Sequence, residues 1–203
     1  MKEISIVKAD ARSVIGAKLN QIALGYMRYP LAGSKEERIV NRTFVRLWKW
    51  SGNRFSHQYA FEAKMGEQTL GIITCYPIPL LNRLAWPTFK ILFSYRKLAL
   101  IGYNLLNLKD LYSTLTLKEG HDDEYHIGTL AALPESRGLG VGSMLMKFAE
   151  EQASLQGYHK CSLTVKKENH RALKLYERLG YQITGEINKP AFSLFRMAKK
   201  LEK

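Results

Sequence analysis

LAALPESRGLGVG, residues 130–142, is the stretch on which the reading of the fold depends. It passes from apolar residues through Pro134 into Arg137-Gly138-Leu139-Gly140-Val141-Gly142, and an amphipathic pattern follows. Three glycines at alternate positions let the backbone turn sharply and present its N–H groups with no Cβ in the way. The first turn of a following helix adds N–H groups without intrahelical acceptors, and its dipole favours an anion there. Arg137 contributes a forked cationic donor. Such a turn suits a phosphate or diphosphate; a tight strand-to-helix turn that binds nothing is the plainer alternative.

Outward from the turn, Tyr125–Leu133 reads as a strand and Gly142–Gln156 as a helix. That helix is expected to bury Val141, Met144, Leu145, Phe148 and Ala149. Beyond it come a strand at Cys161–Val165, a helix at Asn169–Leu179, and strands at Tyr181–Ile187 and Phe192–Leu201. This alternation marks an α/β half. A P-loop requires Gly-Lys-Ser/Thr after the glycines, and Gly142-Ser143-Met144 supplies no lysine. A dinucleotide fold wants G-x-G-x-x-G directly after its strand; with Glu168 as the ribose-binding acid, that alternative stays open.

The same stretch resembles the acetyl-CoA motif of the GNAT superfamily of N-acetyltransferases, Arg/Gln-x-x-Gly-x-Gly/Ala, at Arg137, Gly140 and Gly142. The resemblance continues through Asn169-x-x-Ala172-x-x-x-Tyr176, Leu179-Gly180-Tyr181 and Phe195-Arg196-Met197, covering about 124–201. It implies an α/β acyltransferase fold: a central mixed, mostly antiparallel sheet, helices on both sides, and a helical insertion before the cofactor strand. It implies acetyl transfer from acetyl-CoA to a primary amine, by direct attack in a ternary complex and without a metal. Leu130, Ala131 and Ala132 would then offer backbone groups to the pantetheine arm. Arg137, Gly138, Leu139, Gly140, Val141, Gly142 and Ser143 would hold the pyrophosphate. Asn169, which by position is an N-cap, would also contact the cofactor arm. Tyr176 shares a helical face with Ala172, Leu173 and Leu179 and by periodicity is a core aromatic; the resemblance makes it the acid that protonates the departing thiolate.

Amine attack needs a neutral nucleophile, and a lysine-like amine has a pKa of about 10.4. Alternate strand positions share a face, so 124, 126, 128, 130 and 132 are expected on one side, with Glu124 and His126 together. His126 stands four residues before Leu130, where several members of the resembled family carry a catalytic glutamate. Its ordinary pKa of about 6.5 suits a general base. Glu124 is the next candidate; His121, Asp122 and Asp123 are reserves, and a structural role for His126 is the alternative. Cys75 and Cys161 have no base partner in sequence, which argues against a covalent acetyl-cysteine route.

Upstream, Glu3–Lys8 reads as a strand. Val14, Ile15, Leu19, Ile22 and Ala23 mark an amphipathic helix that frays near Tyr29-Pro30. Ser34 with Glu37 forms a capping-box pattern, opening a helix that buries Ile39, Val40, Phe44, Leu47 and Trp48. Phe55–Lys64 and Thr69–Tyr76 suggest a hairpin. From 77 to about 117 a helical pattern is interrupted at Pro79, Pro87 and Gly102, and Gly120–Asp123 closes it. The expected organisation is one N-acetyltransferase domain over 1–203: an opening at 1–76, an insertion at 77–120, and the acetyl-CoA-binding half at 121–203. The insertion carries Trp86, Phe89, Phe93, Tyr95, Tyr103 and Tyr112 among Arg83, Lys90, Arg96, Lys97 and Lys109. These are expected to form a lid shaping acceptor choice; a cap that buries the aromatics, or a docking surface, are the other readings.

With 46% apolar and 24% charged residues, the 203-residue chain is globular rather than disordered. Two cysteines in no C-x-x-C pair argue against a disulfide framework or a zinc ribbon. The net charge of +13 favours anionic partners. A non-catalytic nucleotide- or CoA-binding module, docking on nucleic acid or membrane, is therefore the rival function. The N-terminus lacks an apolar signal core, and Leu98–Leu108, the longest uncharged apolar stretch, is too short to span a bilayer. The expected setting is cytoplasmic. The expected partners are acetyl-CoA, an amine acceptor (small molecule, peptide or protein) and a second copy of the chain.

Overall fold

A computed structural model describes residues 3–202. Its strands are β1 (Ile4–Lys8), β2 (Ala60–Met65), β3 (Gln68–Pro77), β4 (Tyr125–Ala132), β5 (Lys160–Lys166), β6 (Gln182–Lys189) and β7 (Phe192–Lys200). They form one sheet in the order β1-β2-β3-β4-β5-β7-β6. Every neighbouring pair is antiparallel except β4 and β5, which run parallel. The helices are α1 (Val14–Ala23), α2 (Arg28–Ala32), α3 (Glu37–Lys49), α4 (Ile78–Arg96), α5 (Leu98–Leu106), α6 (Leu108–Leu115), α7 (Val141–Leu155) and α8 (His170–Arg178). The fold is the mixed α/β arrangement expected, with the helical segment α4–α6 between β3 and β4.

Each face of the sheet carries its own core. On one, α7 buries Leu145, Met146 and Ala149 against Cys75, Ile127, Leu163 and Met197. Met144 and Phe148, expected to be buried with them, remain partly exposed, because Met146 and Ala153 complete the inward stripe. On the opposite face, Trp48 of α3 and Ala17 and Leu19 of α1 pack on Ala60 and Ile72. Full burial of the larger of these side chains, such as Leu19, Ile72, Leu145 and Met146, contributes roughly 1.5–3 kcal/mol each, which fixes both helix layers to the sheet.

Three local expectations are corrected. Helix α1 exposes Val14, Ile15 and Ile22 and buries Asn20 and Gln21. The reason is polar: Asn20 Nδ2 donates to the Phe55 carbonyl at 3.1 Å, and its Oδ1 accepts from Thr129 Oγ1 at 3.0 Å. Ser34 does not cap α3; its Oγ accepts from the Glu36 N–H at 3.0 Å, an i, i+2 turn bond. The side-chain cap of this region is Ser13, which accepts from the Gly16 N–H at 3.0 Å at the start of α1. Tyr29-Pro30 does not end a helix either, since both lie within α2.

Pro79, Pro87 and Gly102 likewise leave the insertion's helices unbroken. The breaks fall at Lys97, with φ 49°, and at Asn107. Packing explains the first. Helix α5 crosses the end of α2 so closely that a Cβ on Gly33 would lie 2.8 Å from Leu100 Cα. Asn104 Nδ2 then donates to the Pro30 carbonyl at 3.0 Å. Trp86, Phe89, Phe93 and Tyr112 of this segment are exposed rather than enclosed.

Candidate active site

Strands β4 and β5 pair at only three positions, Tyr125–Cys161, His126–Ser162 and Ile127–Leu163. Beyond them β4 continues along β3 to Ala132, while β5 continues along β7 to Lys166. The facing edges of Gly128–Ala132 and Thr164–Lys166 share no ladder, so the sheet opens into a wedge. Backbone donors and acceptors along such an edge are unsatisfied until something extended lies beside them.

Gly128 is where β4 changes. Thr74 pairs with Thr129 and Cys75 with Ile127, which leaves Gly128 as the extra residue of a bulge. A Cβ there would sit 2.4 Å from the Tyr76 hydroxyl. The bulge inverts the alternation, correcting the expectation that 124, 126, 128, 130 and 132 share one face. Leu130 joins Tyr125 and Ile127 in the α7 core, whereas Ala131 packs with the α1–α3 layer. His126, paired with Tyr76, lies on the α1–α3 side with Thr129.

At the end of the wedge the chain makes the glycine turn. Gly138 has φ 81° and Gly140 φ 71°, and at both a Cβ would meet nothing within 4 Å. Their left-handed backbone requires glycine, and the space beside them is open. The N–H groups of Gly138, Gly140, Val141, Gly142 and Ser143 reach no backbone carbonyl among the described residues. Arg137 is exposed next to them. Gly142 differs in kind: its Cβ position lies 3.2 Å from Leu175 Cδ2, so it also serves the packing of α7 on α8. Arg178 Nη2 approaches Ser143 Oγ at 3.5 Å. This second cation at the turn comes from the far end of α8, and no local pattern in the sequence signals it. An anion held here fits the cradle: five free N–H groups, a helix N-terminus and cations on either side.

The other wall of the wedge leads into α8. Asn169 Oδ1 accepts from the Ala172 N–H at 3.2 Å, making Asn169 the N-cap that its position suggests. Tyr176 is 8% exposed, within the α7 core and 6.2 Å from the Tyr181 ring. Burial alone pushes its hydroxyl up to about 12. It therefore keeps its proton at neutral pH.

Under the closed half of β4 lies a polar cluster. His126 is 1% exposed; its Nδ1 is 3.2 Å from Ser162 Oγ, and its Nε2 is buried without a partner. Burial holds its pKa below the ordinary value, with Glu119 and Glu124 opposing that shift and Arg54 and Arg196 reinforcing it. Glu124, which precedes β4, is not free in the same way. Oε1 accepts from Arg196 and lies 3.6 Å from Lys160 Nζ, and Oε2 accepts from the His121 N–H at 3.1 Å. Burial would raise the Glu124 pKa, but the bonds from Arg196 and His121 and the Arg196 charge outweigh it and hold it low. Of the reserves, Asp123 pairs with Lys160 at 2.9 Å, while His121 and Asp122 are exposed.

The sequence reading missed Arg54, Tyr76 and Glu119. Arg54 and Glu119 form an ion pair whose charges act on both Tyr76 and His126. The pair borders a cavity of about 660 Å³ between α2, α4, α6 and residues 117–122, walled by Phe55, Leu81, Leu92 and Phe89. Of the insertion's aromatics only Phe89 lines it. Both thiols are remote from such chemistry, since burial raises Cys75 to about 11 and Cys161 to about 12.

Comparison with known proteins agrees with this geometry. The family model described as "Acetyltransferase (GNAT) family" matches residues 26–181. A solved structure described as an acetyltransferase superimposes with a TM-score of 0.72 at 21% identity, covering 98% of this chain and 100% of its own. An N-acetyltransferase from Staphylococcus aureus Mu50 does so at 0.70 and 22%, covering 96% and 100%. A PaiA N-acetyltransferase from Thermoplasma acidophilum, solved in complex with coenzyme A, aligns at 0.55 and 14%, covering 98% and 99%.

Proposed function

This chain belongs to the acetyltransferase (GNAT) family, and on that premise we propose that it moves the acetyl group of acetyl-CoA to a primary amine within a ternary complex. The observation that carries the reading is the wedge between β4 and β5 leading straight to a glycine turn with unpaired N–H groups. Leu130, Ala131 and Ala132 would flank the pantetheine arm, and Arg137 to Ser143, with Arg178, would hold the pyrophosphate. Acetyl-CoA bound there supplies an activated acetyl group and a thiol leaving group.

The chain's own groups handle the protons. Tyr176 holds one at its hydroxyl, available to a departing sulfur, because burial keeps the phenol neutral. His126 is neutral at pH 7 and has a free Nε2 to receive the amine proton. Glu124, already bound to Arg196, is the second candidate base and contributes its charge to the cluster. Direct transfer is favoured over a cysteine intermediate, since both buried thiols are poor sources of thiolate. An acetyl-CoA co-substrate suits a cytoplasmic setting.

Two measurements test the reading. Calorimetry should show acetyl-CoA binding with NAD and ATP far weaker, and thiol release should appear when amines are presented. Equal affinity for all three cofactors would sink the cofactor assignment. Binding without release across small amines, polyamines, peptides and protein lysines would sink the catalytic one.

A further inference from the structure

No Asp or Glu occurs between Glu67 and Asp110, a span that carries Arg83, Lys90, Arg96, Lys97 and Lys109. Helices α4 and α5 lie within it and turn apolar side chains to solvent. Trp86, Phe89 and Phe93 follow one stripe of α4 and are 62%, 45% and 41% exposed. Their rings stack at 5.5 and 6.0 Å, with Lys90 Nζ 5.4 Å from the Trp86 ring. On α5, Leu98, Ile101, Leu105 and Leu106 are exposed in the same manner. Helix α3, packed beside α4, presents Arg38, Arg42, Arg46 and Lys49 on its outer face. Arg42, Arg46 and Lys49 line a shallow basin of about 450 Å³ with Trp50 and Tyr95, and the Arg46 guanidinium lies over both rings. Among the described residues, none of these α3 cations, nor Arg83, Lys90 or Lys97, comes within 4 Å of a carboxylate.

We propose that this face seats on an anionic lipid surface, with the α4 and α5 side chains entering the headgroup–acyl boundary and Arg83 and Lys90, which flank the aromatic stripe on α4, meeting lipid phosphates. Exposed apolar stripes of this extent mark a contact surface rather than ordinary scatter. Tryptophan, phenylalanine and leucine beside lysine and arginine are the composition of a helix that lies in a membrane interface. No helix among the described residues is long and apolar enough to cross a membrane, so the contact is with its surface. Charge selects this occupant over the others. A two-fold contact with a second copy would set one acid-free, basic stripe against another. Nucleic acid would use the arginines and the rings but has no use for Leu98, Ile101, Leu105 and Leu106, which cannot stack on bases. The stripe also shares Phe89 with the wall of the 660 Å³ cavity.

Co-sedimentation with vesicles tests the proposal. The protein should partition at least about tenfold more strongly onto mixed phosphatidylglycerol–phosphatidylcholine vesicles than onto pure phosphatidylcholine, with the difference shrinking as salt rises. Replacing Arg83 and Lys90 by Gln should abolish the preference. Replacing Trp86, Phe89 and Phe93 by Ala should weaken binding at every salt concentration. All five side chains lie at the surface, so circular dichroism and acetyl-CoA affinity should match wild type in both variants. In a Trp50→Phe background Trp86 is the one exposed indole, and its emission should shift to the blue on mixed vesicles. Absence of sedimentation, or equal sedimentation on both vesicle types, overturns the proposal. So does a concentration-dependent dimer lost in the aromatic variant without vesicle binding, which assigns the face to a second copy. RNA retention unaffected by the aromatic variant, again without vesicle binding, overturns it in favour of nucleic acid.

Discussion

The first three residues of β4 and its last five differ in what lies along one edge. Tyr125, His126 and Ile127 have β3 on one side and β5 on the other, and charged groups act on His126 among them: Glu124 with Arg196, Arg54 with Glu119. Gly128 to Ala132 keep β3, lose β5, and run into a turn whose N–H groups have no backbone acceptors. The bulge at Gly128 joins the two. A strand closed on both edges excludes water, so neighbouring charges and burial decide its protonation states. A strand open on one edge has directional donors and acceptors to spare, so it is suited to hold a ligand. On the proposed reading, one strand would thereby separate proton handling from cofactor binding.

The most severe way to break that division is to fill the open end. Gly140→Asp places a carboxylate where five N–H groups await an anion, and should lower acetyl-CoA affinity by on the order of 10³-fold. The residue's φ of 71° adds a strain cost of about 1 kcal/mol, so Tm should fall a few degrees while circular dichroism stays native. Calorimetry that finds wild-type affinity would show that the open end does not bind the cofactor. Gly142→Asp is a poorer probe, because contact with Leu175 would mix a packing defect into the result. Tyr176→Phe comes next. It keeps the buried ring and removes only a hydroxyl whose pKa stands at about 12, so kcat should drop about 10²-fold with Tm nearly unchanged. Unaltered turnover would move the proton donor elsewhere.

Of these two probes only Gly140 could be named from the sequence on physical grounds; Tyr176 reads by periodicity as a core aromatic, and the family resemblance alone singled out its hydroxyl. Glycine at alternate positions before an amphipathic helix is a local feature, fixed by φ angles that other residues rarely adopt. Asn169 as N-cap is equally local. The bulge at Gly128 was hidden because strict alternation is the default for any strand, and only pairing with β3 shows where it slips. Arg54 and Glu119 lie 65 positions apart and meet only after the insertion has folded back. Pro30 concealed α2 for another reason: a proline in a helix's first turn forfeits no intrahelical bond, so it need not end anything. The stripe of Trp86, Phe89 and Phe93 has the same period whether it faces a core or solvent, and here it faces solvent.

The closed half yields a smaller effect, with a pH signature. His126 titrates below about 6.5, so it is neutral at pH 7 and charges only as the medium becomes acidic. His126→Gln should lower kcat about tenfold at pH 7 and remove the acidic limb of the wild-type profile. Stability follows with a definite sign. The unfolded histidine takes its proton first as pH falls through about 6.5, which favours the unfolded chain, so wild-type Tm should decline between that point and the lower folded value. The variant should lose that part of the decline. A wild-type pH profile in both rate and Tm would leave His126 a packing residue and make Glu124→Gln the next test.

The smallest effect separates two roles of one residue on the far wall of the wedge. Asn169 caps α8 through a bond to the Ala172 N–H, and it also stands where β5 hands the chain to the helix bearing Tyr176. Loss of an N-cap costs about 1 kcal/mol, so Asn169→Ala should lower Tm by about 2–4 °C. Serine caps nearly as well as asparagine but carries no amide. If Asn169 acts only as a cap, Asn169→Ser should recover both Tm and the KM for acetyl-CoA. If its amide also touches the cofactor arm, Tm should recover while KM stays raised severalfold. That split would extend ligand contact from the open edge of β4 to the opposite wall. Full recovery of both would confine it to β4 and the glycine turn.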